Sequence, residues 1–199
     1  MHPIVSRFMP SATAMLRTDH SHVLMTFHKY RAGKAPATRL LPVRAACLAL
    51  EIHAQLEEEI FYPACRAAGI DSAVLEKSLP EHAEMRRVIG ELRALDPASS
   101  AFDEAFMNLM RIVIHHVADE ETVLFADAER VLGADRLAEL GMEMTRRRLQ
   151  LAAPHAGEIA ADTVRTAKPA SLLVAAGALL AGGYVVKRAF GRGNHVTRT

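Results

Sequence analysis

The chain has 199 residues, half of them hydrophobic, and its basic and acidic residues nearly cancel to a net charge of +1. This balance gives no electrostatic basis for nucleic-acid binding, and we expect no nucleic-acid partner. Tryptophan is absent and aromatic residues make up 5%, so we expect an aliphatic core built from good helix formers. No convincing alternation of apolar and polar residues indicates strands, and the sequence therefore predicts an all-α fold.

Capping residues and helix breakers predict four long helices joined by short loops. The predicted spans are 11 to about 31, 40 or 42 to 62, 71 or 72 to 95, and 99 or 100 to 131 or 132. Ser11 is the expected cap of the first helix, and Pro63 with Gly69 is expected to end the second. Four such helices predict an up-down-up-down four-helix bundle over residues 11–132.

Two segments follow the bundle before the C-terminal stretch. Residues 133–153 predict a short fifth helix, from about Asp135 to Leu151. Its run of three arginines, Arg146–Arg148, is expected to face solvent. Residues 154–168 are interpreted as a linker.

Residues 169–188 form a candidate transmembrane anchor. They include an uncharged stretch, 169–186, which predicts a C-terminal apolar helix of about the minimum length for a bilayer. Gly177 and Ala181 have the spacing of small residues that lets such helices pack closely, which allows a homo-oligomer through the tail. We therefore expect a cytoplasmic bundle tethered to the inner face of a membrane. A soluble cytoplasmic protein, with the tail packed on the bundle or disordered, is the alternative.

Two segments carry a histidine followed four residues later by a glutamate. They are the pairs His53/Glu57 in the second helix and His116/Glu120 in the fourth. Residues i and i+4 share a helix face, so each pair offers an imidazole and a carboxylate to one point. Each pair interrupts an apolar stripe on the inward face of its helix. We expect this stripe to include Ala64 in helix two and Val123 in helix four. A carboxylate in such a stripe indicates pairing or metal binding.

The fourth helix offers two neighbouring histidines. His116 follows Leu109 and Val113 on an apolar face, whereas His115 would share a more polar face with Asp119. We therefore favour His116 as the inward residue and keep His115 as the alternative.

His20 and His82 lie on the apolar stripes of the first and third helices. His20 follows Leu16, and His82 aligns with Leu79 and Ile89. A lone histidine on such a stripe is usually a hydrogen-bonded core residue, but four on successive helices, two with a glutamate at i+4, indicate a metal site. Imidazole and carboxylate without thiolate suit iron, manganese or zinc, and two carboxylates placed to bridge favour two metals.

These motifs resemble those of hemerythrin-like, HHE-type cation-binding domains. The resemblance rests on Asp19-His20, the run from His53 to Pro63, Glu81-His82 and the run from His116 to Phe125, and it covers roughly residues 11–132. It implies a four-helix bundle around two non-haem Fe ions joined by an oxo or hydroxo bridge. By this resemblance, His20 and His53 hold one iron, His82 and His116 hold the other, and Glu57 and Glu120 bridge them.

The sequence departs from the oxygen-carrying hemerythrins at one position. Those proteins have a second histidine one turn after the ligand of the third helix, where this chain has Arg86. The implied centre is open to O2, NO or peroxide, which favours a sensing, redox or iron-handling role over reversible O2 carriage. A di-iron enzyme of the peroxidase, oxidase or NO reductase type, iron storage, and a structural protein with vestigial histidines remain alternatives.

Overall fold

The computed structural model describes residues 10–166, and in this range the chain is helical without strands. The α-helices are α1 (Ala12–Lys29), α2 (Pro36–Leu56), α3 (Tyr62–Ala67), α4 (Ala73–Ala94), α5 (Ser100–Asp119), α6 (Phe125–Ala152) and α7 (Ala156–Thr166). Two π-helical turns, π1 (Glu57–Phe61) and π2 (Glu120–Leu124), join α2 to α3 and α5 to α6. A short 3-10 turn, Ala153–His155, precedes α7. The prediction of an all-α helical bundle is confirmed.

The helix starts follow the predicted capping residues. The hydroxyls of Ser11, Ser72 and Ser99 each accept a backbone N–H from the first turn of α1, α4 and α5. The second helix differs from the prediction, because it begins at Pro36 and passes through Pro63 without ending. Pro63 lies in the first turn of α3, directly after π1, where a residue without an N–H is tolerated.

The π-helical turns shift which residues face inward. Val123, predicted on the inward stripe, is 42% exposed, whereas its neighbour Leu124 is 0% exposed. In the second helix Cys65 is fully buried and Ala64, predicted inward, is only partly buried. Each π-helical turn places an extra residue between the helix before it and the helix after it, so the inward stripe moves on by one position.

The third helix also differs from its predicted stripe at one position. Leu79 is exposed, and Ser78 takes the buried place one turn before His82. The Ser78 hydroxyl donates to the Val74 carbonyl oxygen at 2.7 Å, so the buried polar group is satisfied within the helix.

Two apolar clusters form the core, and a polar layer separates them. One cluster gathers the start of α1, α3 and α6 around Leu16 and Phe61. The other gathers the end of α1, the first part of α2, α4 and α5 around Phe27 and Phe106. The predicted site histidines lie between these two clusters along the helices. His20, for example, lies between Leu16 of one cluster and Val23 of the other. The apolar clusters on either side hold the polar layer in place.

The two cysteines are buried and free. Cys47 lies in one apolar cluster and Cys65 in the other. Burial raises the pKa of both thiols to about 12, so both are neutral small apolar side chains at physiological pH.

The predicted fifth helix is the part of α6 that follows a bend at Gly133. The φ of Gly133 is +72°, in the left-handed region that glycine adopts without a steric cost. Beyond this bend α6 packs against α1. The arginine run differs from the expectation of a solvent-facing segment: Arg146 is exposed, but Arg147 binds Glu59 and Arg148 binds Asp19.

Gly141 is expected to be required for this packing. A Cβ at this position would lie 2.2 Å from the Pro10 carbonyl oxygen, a backbone atom at the start of α1. We expect Gly141→Ala to lower the free energy of unfolding by about 1–3 kcal/mol in urea titrations. Gly90→Ala is the matched control, because a Cβ there meets nothing within 4 Å, and it should leave stability unchanged or raise it by up to about 1 kcal/mol. Equal stability of the two variants would contradict the close approach.

A second compact unit begins at His155, and α7 is its described helix. The described part of the predicted linker is therefore helical. No helix among residues 10–166 is long and apolar enough to cross a bilayer. The candidate anchor at 169–188, together with the homo-oligomer expected through it, lies outside the described residues.

Candidate metal centre

The two π-helical turns begin at equivalent positions of the two histidine–glutamate motifs. π1 starts at Glu57, four residues after His53, and π2 starts at Glu120, four residues after His116. Both glutamates are completely buried. Such turns are rare and occur frequently at functional sites, where they redirect side chains.

Four buried imidazoles meet in two pairs at the centre of the bundle. The Nε2 atoms of His20 (α1) and His53 (α2) are 3.1 Å apart. The Nε2 atoms of His82 (α4) and His116 (α5) are also 3.1 Å apart. Each pair therefore brings together the ring nitrogens of two facing helices.

The two buried glutamates connect these pairs. Glu57 Oε2 lies 3.2 Å from His53 Nε2 and 3.4 Å from His82 Nε2. Glu120 Oε2 lies 3.3 Å from His116 Nε2 and 3.5 Å from His20 Nε2. Each carboxylate oxygen thus stands between one imidazole of each pair, and all six predicted site residues come together in one cluster.

An outer ring of carboxylates contacts the Nδ1 atoms of the four imidazoles. The pairs are Glu121 with His20, Glu58 with His82 and Glu81 with His116, each at 2.8 Å, and Asp19 with His53 at 3.2 Å. A carboxylate can only accept a hydrogen bond, so each Nδ1 donates its proton outward. In the neutral imidazole the Nε2 atom then directs its lone pair toward the centre, as in metal-binding histidines.

Sequence reasoning missed these four carboxylates, although the sequence contained a signal. Each one is the immediate neighbour of a predicted site residue, as in Asp19-His20 and Glu57-Glu58. Each also comes from a different helix than the imidazole that it orients. The ring therefore depends on which helices are neighbours in space.

Without a metal, protons balance the buried negative charge of this cluster. Burial alone would lower the pKa of His53, but Glu57 and Asp19 outweigh it and raise the pKa to about 10. Burial likewise opposes the ionisation of Glu57, yet interactions with His53 and His82 hold the pKa of Glu57 well below its usual value. The buried carboxylates therefore favour positive charge on or between the imidazoles.

Two unpartnered oxygens support a metal as the source of that charge. Glu57 Oε1 and Glu120 Oε2 are buried without a hydrogen-bond donor. Leaving a buried carboxylate oxygen unpaired is costly, and such atoms are rare in folded proteins. Imidazole nitrogens and carboxylate oxygens without thiolates fit iron, manganese or zinc. The residues present therefore fit a pair of such cations.

Three further histidines of the described helices, and Arg86, do not belong to this cluster. His22, His28 and His115 are exposed, whereas His116 is buried. Arg86, which stands where the oxygen carriers have a further histidine, is 40% exposed and donates to Glu58. It thus contacts the carboxylate that orients His82.

Tyr62 places a hydroxyl at the centre that sequence reasoning did not single out. Its hydroxyl donates to Glu120 Oε1 at 2.7 Å and lies 3.3 Å from Glu57 Oε2. Burial, with Glu57 and Glu120 nearby, raises the pKa of Tyr62 well above its usual value, so the phenol stays protonated and donates a hydrogen bond.

The two motifs, when aligned, place Phe125 where the first motif has Tyr62. Tyr62 stacks on His82 with ring centroids 5.7 Å apart, and Phe125 stacks on His20 at 5.6 Å. This alignment is the feature of the sequence that could have identified Tyr62 as a residue of the centre. The two halves of the centre therefore differ by one hydroxyl, which lies on the side of His82.

We expect Tyr62→Phe to destabilise the metal-free protein. The change removes the donor to Glu120 Oε1 in a buried site, and we expect the free energy of unfolding to fall by about 1–3 kcal/mol. Tyr30→Phe is the matched control, because it removes a hydroxyl that donates to Asp103 in a partly exposed site and should cost less. Urea titrations of both variants without metal measure this, and an equal or smaller loss for Tyr62→Phe would contradict the assignment.

The fold and the cluster define a class of protein, the helical bundle that holds metal cations between the side chains of facing helices. The profile of the Hemerythrin HHE cation binding domain family matches residues 11–165. The chain belongs to this family and is a metal-cation-binding protein.

One curated relative is similar to part of the chain. A protein of Nostoc sp. named DNA nickase is 27% identical over 129 residues, which cover 65% of this chain and 36% of the relative. The matched region thus spans little more than a third of that relative. No solved structure matches the chain.

Proposed function

We propose that the chain binds a non-haem di-iron centre with six ligands from the bundle. In this proposal His20 and His53 hold one iron, His82 and His116 hold the other, and Glu57 and Glu120 bridge the two. The observation that carries the proposal is the position of each glutamate oxygen between one imidazole of each pair. A carboxylate so placed can share its negative charge between two cations.

The proposed role is to interact with O2, NO or peroxide in sensing, redox chemistry or iron handling. Two imidazoles and two carboxylates would not saturate an iron, which would leave room for small ligands. The chain's own residues orient the imidazoles through Asp19, Glu58, Glu81 and Glu121. The apolar clusters on both sides of the site limit the access of water.

A di-iron enzyme of the peroxidase, oxidase or NO reductase type is the second candidate. The observation in its favour is Tyr62, because the reduction of peroxide or NO consumes protons and the Tyr62 hydroxyl is a buried O–H group hydrogen-bonded to Glu120 beside the centre. Iron storage is a further alternative, and uptake of iron beyond the first two equivalents on repeated addition would reveal it.

Anaerobic reconstitution with Fe(II) tests the proposal. We expect about two irons per chain after removal of unbound metal, and an optical spectrum that changes when O2 or NO is added. No retained iron would contradict the proposed centre. Turnover of peroxide or NO above that of free iron would favour the enzyme over the sensor, and its absence would favour the sensor.

A further inference from the structure

We propose that Arg148 is a positioning residue for the metal centre and that it acts on His53 through Asp19. The proposal rests on the proposed function, because it takes His53 as an iron ligand. It adds a residue outside the four-helix bundle: Arg148 lies in the part of α6 beyond the bend at Gly133. The fifth helix would then help to hold the metal.

Arg148 holds Asp19 with both of its terminal nitrogens. Nη1 donates to Asp19 Oδ1 at 2.8 Å, and Nη2 donates to Asp19 Oδ2. The pair is largely shielded from water, with the Asp19 side chain 13% exposed and that of Arg148 32% exposed. A two-nitrogen contact of this kind fixes the carboxylate in one orientation, which a single hydrogen bond does not.

The fixed carboxylate is the one that orients His53. Asp19 Oδ2, which accepts from Arg148 Nη2, also accepts from His53 Nδ1 at 3.2 Å. Asp19 directly precedes His20 in α1, so its position also bears on the other imidazole of the same pair. The contact from α6 therefore reaches one metal position, the one between His20 and His53.

The other metal position is supported from within the bundle. Glu58, which orients His82, accepts from one nitrogen of Arg86, and Glu81, which orients His116, pairs with Lys77. Arg86 and Lys77 both belong to α4 and are 40% and 43% exposed. Loss of the α6 contact should therefore weaken the retention of one iron more than that of the other.

Arg147 provides a matched control in the same helix. It makes an equivalent two-nitrogen contact with Glu59, at 2.6 Å and 2.9 Å, but Glu59 also accepts from the side chain of Gln55 rather than from an imidazole. Arg147→Gln and Arg148→Gln therefore each remove one ion pair between α6 and the bundle. Only Arg148→Gln removes a contact that leads to the centre.

The experiment measures iron release from the reconstituted full chain to a chelator. We expect Arg148→Gln to release about half of the iron about 10-fold faster than the wild type, with the other half unchanged, since loss of an outer partner typically costs 10–100-fold in metal affinity. Arg147→Gln should match the wild type. Arg148→Lys, which keeps the charge without the two-nitrogen contact, should rescue the release rate partly.

Two further measurements separate positioning from general stability. Urea unfolding of the metal-free variants should show similar losses for Arg147→Gln and Arg148→Gln, so a difference in iron release cannot come from the fold. Asp19→Asn should release iron quickly by itself, and adding Arg148→Gln should change the rate little further, because both act through one contact.

Equal iron release from the two arginine variants would overturn the proposal. Additive effects of Arg148→Gln and Asp19→Asn would also overturn it, because Arg148 would then not act through Asp19. A failure of the proposed function would look different, since the wild type itself would retain no iron.

Discussion

Replacing Glu57 with alanine is expected to abolish tight iron binding. Glu57 Oε2 stands between His53 and His82, so the change removes a ligand from both proposed metal positions at once. The loss of affinity should exceed the roughly 10–100-fold that the loss of an outer partner costs. Metal analysis after anaerobic reconstitution and gel filtration measures it.

The control for this variant lies two residues further on, in the same π-helical turn. Glu59 is exposed and binds Gln55 and Arg147 at the surface, so Glu59→Ala should keep the iron content of the wild type. Circular dichroism of both variants checks that the helices are retained. A Glu57→Ala variant with the full iron content would contradict the assignment of Glu57 as a bridging ligand.

Metal loading is expected to raise the melting temperature substantially. A ligand that binds only the folded state, at 100 times its dissociation constant, stabilises that state by about 2.7 kcal/mol. For a chain of this size such a gain raises the melting temperature by roughly 5–11 °C. A chelator should reverse the shift, and calorimetry with and without it measures the effect.

The same measurement tests the alternative of a structural protein with vestigial histidines. That alternative predicts no change in melting temperature on chelation, and such a result would contradict the metal centre. Glu57→Ala is the matched control, because a variant that binds no metal should melt at one temperature with or without iron. A shift in that variant equal to the wild-type shift would show that iron acts elsewhere on the chain.

The centre is nearly symmetric, and its differences have chemical consequences for the proposal. The two histidine–glutamate motifs supply equivalent residues to both halves, except that Tyr62 occupies the position of Phe125. The position of His82 and His116 therefore has a phenol hydroxyl beside it, and the position of His20 and His53 has the contact from α6. The two proposed irons should differ in retention and in reactivity.

Local sequence patterns determined the fold class and most of the inward residues before the π-helical turns, although Leu79, predicted inward, is exposed. Helix periodicity and the capping serines depend only on near neighbours, so Ser11 and Ser99 appear as caps in the structure. The spacing of four residues placed each histidine and its glutamate on one face for the same reason. The predicted stripes failed at Ala64 and Val123, because a π-helical turn depends on the packing of the completed site.

Only the tertiary structure decided which residues meet across helices. His20 meets His53, and each Nδ1 atom contacts a carboxylate from another helix. The Tyr62 hydroxyl reaches Glu120 in the same way, from a helix far away in the sequence. Arg147 and Arg148 are neighbours in one run of arginines, and the sequence does not tell them apart. Only the contact of Arg148 with Asp19 distinguishes them. Periodicity specifies the face on which a side chain lies, whereas the neighbour of that face is set by the packing of the whole bundle.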